Sequence, residues 1–384
     1  MSAAGLPIHQ LVHTLSYGDA ISGEVLGLQR CLREQGREST IYAINVHPKY
    51  KGLAEDYRNF PKDFTGEVVL HYSLGSPLND LYRSLNGAVR GLVYHNLTPA
   101  RWFAGVNPRI TEDIERGMRE LPDLCRMTDR LIADSPFNAG ELSQLGFEAS
   151  VLELPIDPKR WEEPANPGIA SMLQAQPGIH VLHVGRLAPN KCVEDIIKSF
   201  YFLHYHVNRN SWLWLVGIDI DTELYSFALK RLARELEVEQ AVRFVGPMAD
   251  AEVRALYENA SLYMCMSEHE GFCLPLVEAM HFGLPVVAYA SSAVPDTLGG
   301  AGVLVHEKRH AEMGELLAEV ATNALLRSQL VQRGKERVLS LSYEKFSAQV
   351  AALFGASARG VGASRGAQAG SVMRSSAGGS LGLT

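Results

Sequence analysis

The chain has 384 residues, 46% of them hydrophobic, and a formal net charge of −7. That length carries two domains with a sizeable core each, and the composition is that of an ordinary globular protein rather than a disordered or membrane-embedded one. The acidic balance argues against nucleic acid as the main partner, because duplex binders present basic surfaces.

In chain order, PIHQLVHTL reads as a first strand. It ends in SYGDAISGE, a turn carrying Gly18 and Asp19. EVLGLQRCLREQG repeats apolar residues at helical spacing (Val25, Leu28, Cys31, Leu32) and stops at Gly36, and STIYAINV is the next strand. This is a β-α-β opening of Rossmann type. It lacks G-x-G-x-x-G, which disfavours a nicotinamide dinucleotide. GEVVLHYSLGS and RGLVYHNLTP are two further strands. His95 falls at the carboxyl end of the second, where open α/β sheets bind ligands, while Asn96 and Thr98 read as shaping the turn before Pro99. From Arg101 to Arg130 a helix is expected, with arginines and acids interleaved as on a solvated face. RLIADSPFNAGEL is a strand, a cap at Ser135 or Asp134, and a helix.

SVLELPID closes a first domain assigned to residues 1–165, and PKRWEEPANPG, rich in Pro and charge, reads as a hinge. A second domain is assigned to 166–354. It opens with the strand GIHVLHVGRL and the loop APNK. Arg186 and Lys191, five apart across that loop, can both reach one anion. WLWLVGIDIDTE is a strand with a polar exit, and DAEVRALYENA a helix with Asp250 as its expected cap.

The most informative stretch is SEHEGFCLPLVEAMHFGLPVVAY, Ser267 to Tyr289. A short apolar strand precedes it and another ends it. Between them Pro275 marks a helix start and Gly283 a helix end. Gly271 lets backbone approach a ligand, and the free N–H groups of Phe272, Cys273 and Leu274 at the helix start suit a phosphate. Glu270 precedes the helix and Glu278 lies about one turn inside it. Acids on both sides of a phosphate site make sense when the phosphate is flanked by neutral hydroxyls, as in a nucleotide sugar. Terminal helices follow, and from Gly355 the Gly/Ala/Ser-rich tail (355–384) reads as disordered. The five cysteines form no C-x-x-C pair, so neither a zinc site nor a disulfide framework is indicated. No apolar run reaches membrane-spanning length and no signal segment is visible, so a cytoplasmic location is expected.

EGFCLPLVEAMHFGLPVVA, with two Glu separated by seven residues, resembles the signature of the retaining family 4 glycosyltransferases (glycosyl transferases group 1). HVGRLAPNK and FVGPM extend the match, so that the resemblance covers about residues 6 to 350. It implies an α/β GT-B architecture: two Rossmann-like domains facing across a cleft, the last helix packing back on the first domain. It implies transfer of a hexosyl group, mannosyl or glucosyl, with retained configuration. The donor would be a nucleotide-diphosphate sugar. The acceptor would be a glycan or lipid-linked molecule in bacterial surface polysaccharide or lipopolysaccharide synthesis, with room for peripheral contact at the inner face of a membrane. An epimerase of the same architecture is the alternative.

By the same resemblance, Arg186 and Lys191 bind the diphosphate, Glu270 positions the donor sugar, and Glu278 binds the ribose. His95 contacts the donor sugar; the loop of Gly18 and Asp19 faces the cleft, with Gly18 counted among the donor-binding residues and Asp19 among the catalytic ones near the acceptor, and contact of this loop with donor phosphate, acceptor or both is left open. Many members carry Gly-Gly where this chain has Gly18-Asp19. No metal or other cofactor is expected: Asp219-x-Asp221 looks like the D-x-D of another glycosyltransferase class, but this class replaces metal with Arg, Lys and a helix end.

Overall fold

The structure, a computed structural model, describes residues 5–355. The greater part of the expected disordered tail, residues 356–384, lies outside the described residues.

The first domain holds seven strands: β1 (Ile8–Leu15), β2 (Ile41–Val46), β3 (Glu55–Asp56), β4 (Glu67–Tyr72), β5 (Val89–Tyr94), β6 (Arg130–Ala133) and β7 (Ser150–Val151). They lie in the order β3-β2-β1-β4-β5-β6-β7, all parallel. Every residue of β4 is buried, as expected of a Val/Leu-rich strand covered by helices on both faces. Four helices connect this sheet: α1 (Ala20–Glu34), α2 (Pro77–Ser84), α3 (Pro108–Met127) and α4 (Pro136–Gln144).

The helix α5 (Pro167–Gln174) leads into the second sheet. Its six strands are β8 (Ile179–Val184), β9 (Ser211–Val216), β10 (Val242–Gly246), β11 (Leu262–Cys265), β12 (Val286–Tyr289) and β13 (Val303–Val305). Their order is β10-β9-β8-β11-β12-β13, again parallel. Between and after them run α6 (Val193–Phe202), α7 (Glu223–Glu235), α8 (Asp250–Asn259), α9 (Leu274–His281), α10 (Val294–Leu298), α11 (His310–Thr322), α12 (Ala324–Ser340) and α13 (Tyr343–Gly355). Both sheets have the doubly wound Rossmann order, so each has one point where the winding reverses: between β1 and β4, and between β8 and β11. This is the GT-B architecture.

Three local readings need correction. The helix expected from Arg101 begins only at Pro108, because Gly105 turns the chain at φ +79° and Asn107 caps the helix by accepting from the Ile110 N–H. The expected hinge is an ordered strut. Trp161 is buried in the second domain's core, edge-on to Tyr257 and Phe282, and Arg160 pairs with Asp250 at 2.9 Å. Asp250 does not cap α8; it is the helix's first residue, and its carboxylate reaches Arg160 and Tyr17.

The chain returns to the first domain at its end. Phe346, Val350 and Phe354 of α13 are buried with Ile8, Leu28 and Leu32 in one apolar cluster. Among the described residues no helix is long and apolar enough to cross a membrane.

Candidate active site

The site forms where the second sheet reverses. Arg186 follows β8 and Glu270 follows the adjacent β11, so both leave the sheet at its carboxyl edge on the two sides of the reversal. The exits of β8 and β9 nearly touch: a Cβ on Gly217 would sit 1.9 Å from the Gly185 carbonyl oxygen. Only glycine fits there, and the approach holds the Arg186 loop in place. Arg186 donates to the Ile220 carbonyl at 2.8 Å and its Nε is buried without a partner. Burial lowers its pKa, while Asp221, Glu223 and, from the first domain, Asp19 oppose that shift.

Lys191 lies one short 3-10 turn beyond, with its ammonium 2.7 and 2.8 Å from the two oxygens of Glu270. Burial by itself would neutralise both groups. Each overrides it for the other: the Glu270 carboxyl is held below its ordinary range and the Lys191 ammonium above its own. The helix α9 starts at Leu274 with Pro275 in its first turn, and Cys273 at the cap is left-handed at φ +72°. Its first N–H groups have no partner inside the helix.

Glu278 is buried one turn into α9. It pairs with Arg160 and accepts from the Tyr257 hydroxyl at 2.8 Å. The sequence reading missed Arg160 because it sits in the stretch taken for a hinge. Tyr17 extends this chain across the cleft, donating to Asp250 at 2.6 Å.

The first domain meets the Glu270 loop directly. A Cβ on Gly271 would lie 2.8 Å from the His95 carbonyl oxygen and 2.9 Å from Asn96 Cβ. Glycine is needed here for proximity between domains. Asn96, read as a turn former, takes φ +81° and bridges the domains: its Oδ1 is 2.5 Å from His269 Nε2. Its amide donates to Asn138 and Glu141, so Oδ1 is an acceptor and His269 Nε2 carries the proton. Burial lowers His269 to about 4, so the ring is neutral near pH 7.

His95 itself is not open to the cleft. Its ring is fully buried, with Nε2 2.8 Å from His71 Nδ1 and Nδ1 3.3 Å from Asp134 and 3.4 Å from Glu24. Gln10 fixes the tautomers: its amide nitrogen donates to Val25 O, so its oxygen accepts from His71 Nε2. Burial holds His71 well below its ordinary value, so His71 Nδ1 accepts from His95 Nε2. Burial pulls His95 down as well, but Glu24 and Asp134 outweigh it and raise its pKa. Burial pushes Glu24 up to about 8. The expected sugar contact is thus part of a buried cluster of titratable groups, with both ring nitrogens engaged inside the protein. Glu24 did not stand out in the sequence and Asp134 did so only as a possible cap, a role Ser135 fills, because nothing local shows that the two acids converge.

Asp19 caps α1, accepting from the Ser22 N–H at 3.0 Å and from its hydroxyl at 2.9 Å, and its carboxylate remains exposed. Gly18 precedes it at φ +78° with open space where a side chain would be. Asp221 sits in a turn at φ +64°, with its carbonyl accepting from Asn107 of the first domain at 3.1 Å.

Residues 173–337 match the family described as glycosyl transferases group 1. The matched segment is similar to the group 1 glycosyl transferases. Among curated relatives is the GDP-mannose:cellobiosyl-diphosphopolyprenol alpha-mannosyltransferase of Komagataeibacter xylinus. It is 34% identical over 134 residues, 34% of this chain and 33% of that protein. The O-antigen chain mannosyltransferase B of Escherichia coli is 27% identical over 33% of this chain and 32% of its own length. The match thus spans about a third of each of these two relatives. The D-inositol 3-phosphate glycosyltransferase of Actinosynnema mirum is 27% identical over 75% of this chain and 72% of its own. Among solved structures, Anabaena Alr3699/HepE in complex with UDP-glucose aligns with a TM-score of 0.73 at 17% identity, covering 91% of this chain and 99% of that one. Sucrose-phosphate synthase from Thermosynechococcus elongatus aligns at 0.71 and 18% identity, covering 94% and 100%. These likenesses show the fold that this chain shares with them.

Proposed function

We propose that the protein transfers a hexosyl group from a nucleotide-diphosphate sugar to a glycan or lipid-linked acceptor in bacterial surface polysaccharide synthesis, with retention of configuration and without a metal. One observation supports this reading: Lys191 pairs with Glu270 ahead of α9 at the reversal point of the second sheet, and Arg186 leaves the adjacent strand β8 at the same edge. Mannosyl transfer is favoured over glucosyl because two of the relatives are named mannosyltransferases.

The departing nucleoside diphosphate gains negative charge as the sugar–phosphate bond breaks. Arg186, Lys191 and the helix N–H groups are fixed donors for that charge, and fixed donors need no reorganisation as it develops. Lys191 has three N–H donors and Glu270 supplies two oxygens, so the ammonium can serve acid and phosphate together. Glu270 positions the donor sugar and offsets positive charge on its anomeric carbon. The acceptor attacks from the face the phosphate leaves, and the phosphate takes its proton. Glu278 receives the ribose hydroxyls, with Arg160 and Tyr257 fixing its carboxylate. His95 acts from behind, by holding the backbone that faces Gly271.

GDP-mannose, UDP-glucose and other nucleotide sugars should be compared for thermal stabilisation, then for nucleoside diphosphate release with membrane extract. Arg186→Ala should abolish both responses. Unchanged release by that variant, or no response to any donor by the parent protein, refutes the reading.

A further inference from the structure

Two thiols meet inside the loop that carries Glu270. Cys265 ends β11 and Cys273 caps α9, and their sulfurs lie 4.0 Å apart. Both are buried and unbridged. A disulfide holds its sulfurs about 2.05 Å apart, so closure needs a shift of roughly 2 Å. Side-chain rotation supplies part of it, and the left-handed backbone at Cys273 is a position where the loop already holds strain.

The surroundings suit thiol chemistry. Reactive cysteines sit near cations that favour thiolate. The Lys191 ammonium is close enough to both sulfurs for their charges to act on it, and Ser267 Oγ lies 3.3 Å from Cys265. The pair is also asymmetric. The Cys273 hydrogen bond lowers Cys265, whereas the same bond and burial hold Cys273 well above its ordinary value. Cys265 is therefore the attacking sulfur and Cys273 the one that keeps its proton.

The geometry points to Cys265 and Cys273 as a reversible dithiol–disulfide pair that closes under a hydroperoxide and switches off nucleotide binding at this loop. The binding half of this inference rests on the function proposed above. Cys265 thiolate attacks the peroxide: an S–O bond forms, the O–O bond breaks, and hydroxide leaves to become water. Cys273 sulfur then attacks the sulfenic sulfur: the S–S bond forms, the S–O bond breaks, and the second oxygen leaves as water with the Cys273 proton. Two thiols and one hydroperoxide give one disulfide and two oxygen products, water from hydrogen peroxide. Closure draws the start of α9 toward β11, removing its N–H groups from Arg186 and Lys191. A dithiol reductant reverses it.

The test treats the full chain with hydrogen peroxide, alkylates free thiols and maps peptides by mass. Thermal stabilisation by GDP and by UDP is measured before and after. The expected result is a Cys265–Cys273 crosslink, a fall in free thiols from five to three, loss of the nucleotide response, and recovery of both with dithiothreitol. Cys265→Ser should keep its nucleotide response in peroxide. A nucleotide-responsive protein that forms no such crosslink, or that keeps its full response once crosslinked, overturns the switch alone. A reduced protein that ignores both nucleotides overturns the donor-site reading and the switch with it, even if the crosslink maps as expected.

Discussion

Lys191 Nζ stands 2.7 and 2.8 Å from the two carboxylate oxygens of Glu270; Glu270 is buried and Lys191 half-buried, its side chain 23% exposed. Removing one partner strands the other as a buried charge, which costs about 3–5 kcal/mol. Lys191→Met and Glu270→Gln should each lower urea stability by about that amount and turnover by about a hundredfold or more. The double variant should recover much of the stability and none of the turnover. A double variant that loses the sum of the two single losses would show that the pair is not coupled.

Gly271 separates the effects of closure from those of charge. Its φ is not in the left-handed region, so alanine meets no backbone strain, only first-domain atoms: the His95 carbonyl oxygen at 2.8 Å, Asn96 Cβ at 2.9 Å and Asn138 Nδ2 at 3.1 Å. Gly271→Ala should leave the urea transition of the free protein nearly unchanged and reduce turnover by at least tenfold. Small-angle scattering should show a wider particle. A variant with normal turnover and unchanged dimensions would mean that this contact does not govern closure.

Glu24 predicts an unusual pH dependence. Burial raises it to about 8 from an ordinary value of 4.5, so the folded state holds a proton that the unfolded state has released. Its contribution is complete below about pH 4.5 and is lost as pH rises toward 8. Glu24→Gln should therefore gain stability relative to the parent between pH 5 and 8. Parallel stability curves for the two proteins would show that Glu24 does not titrate in this range.

His269 gives the opposite slope. Its folded value of about 4 lies below the ordinary 6.5, so the unfolded state binds the extra proton between them. Its contribution is complete above about pH 6.5 and is lost as pH falls toward 4, by up to about 1.4 kcal/mol per pH unit. His269→Gln should flatten the acid side of the stability curve by about one proton. An unchanged slope would argue that the ring is solvated.

The second domain was the more legible half, because its signals are local. Pro275, Gly283 and the acids on either side of Gly271 punctuate one short segment, and the structure places them as read. The first domain's contribution was not legible. Glu24, His95 and Asp134 come from α1, the end of β5 and the end of β6, and only the parallel pairing of β5 with β6 and the packing of α1 bring them together. The strut was misread for a similar reason: Pro and charge in a sequence describe a linker equally well as a segment whose Arg is ion-paired and whose Trp is buried in another domain.

The return of α13 makes the two halves of this protein inseparable by a single cut. Phe346, Val350 and Phe354 supply one wall of the first domain's interior from the far end of the polypeptide. A fragment ending near residue 165 would bare that wall to water and tend to aggregate. Co-expressing a peptide that spans the last helix should rescue its solubility, making the protein a natural candidate for splitting into complementing pieces.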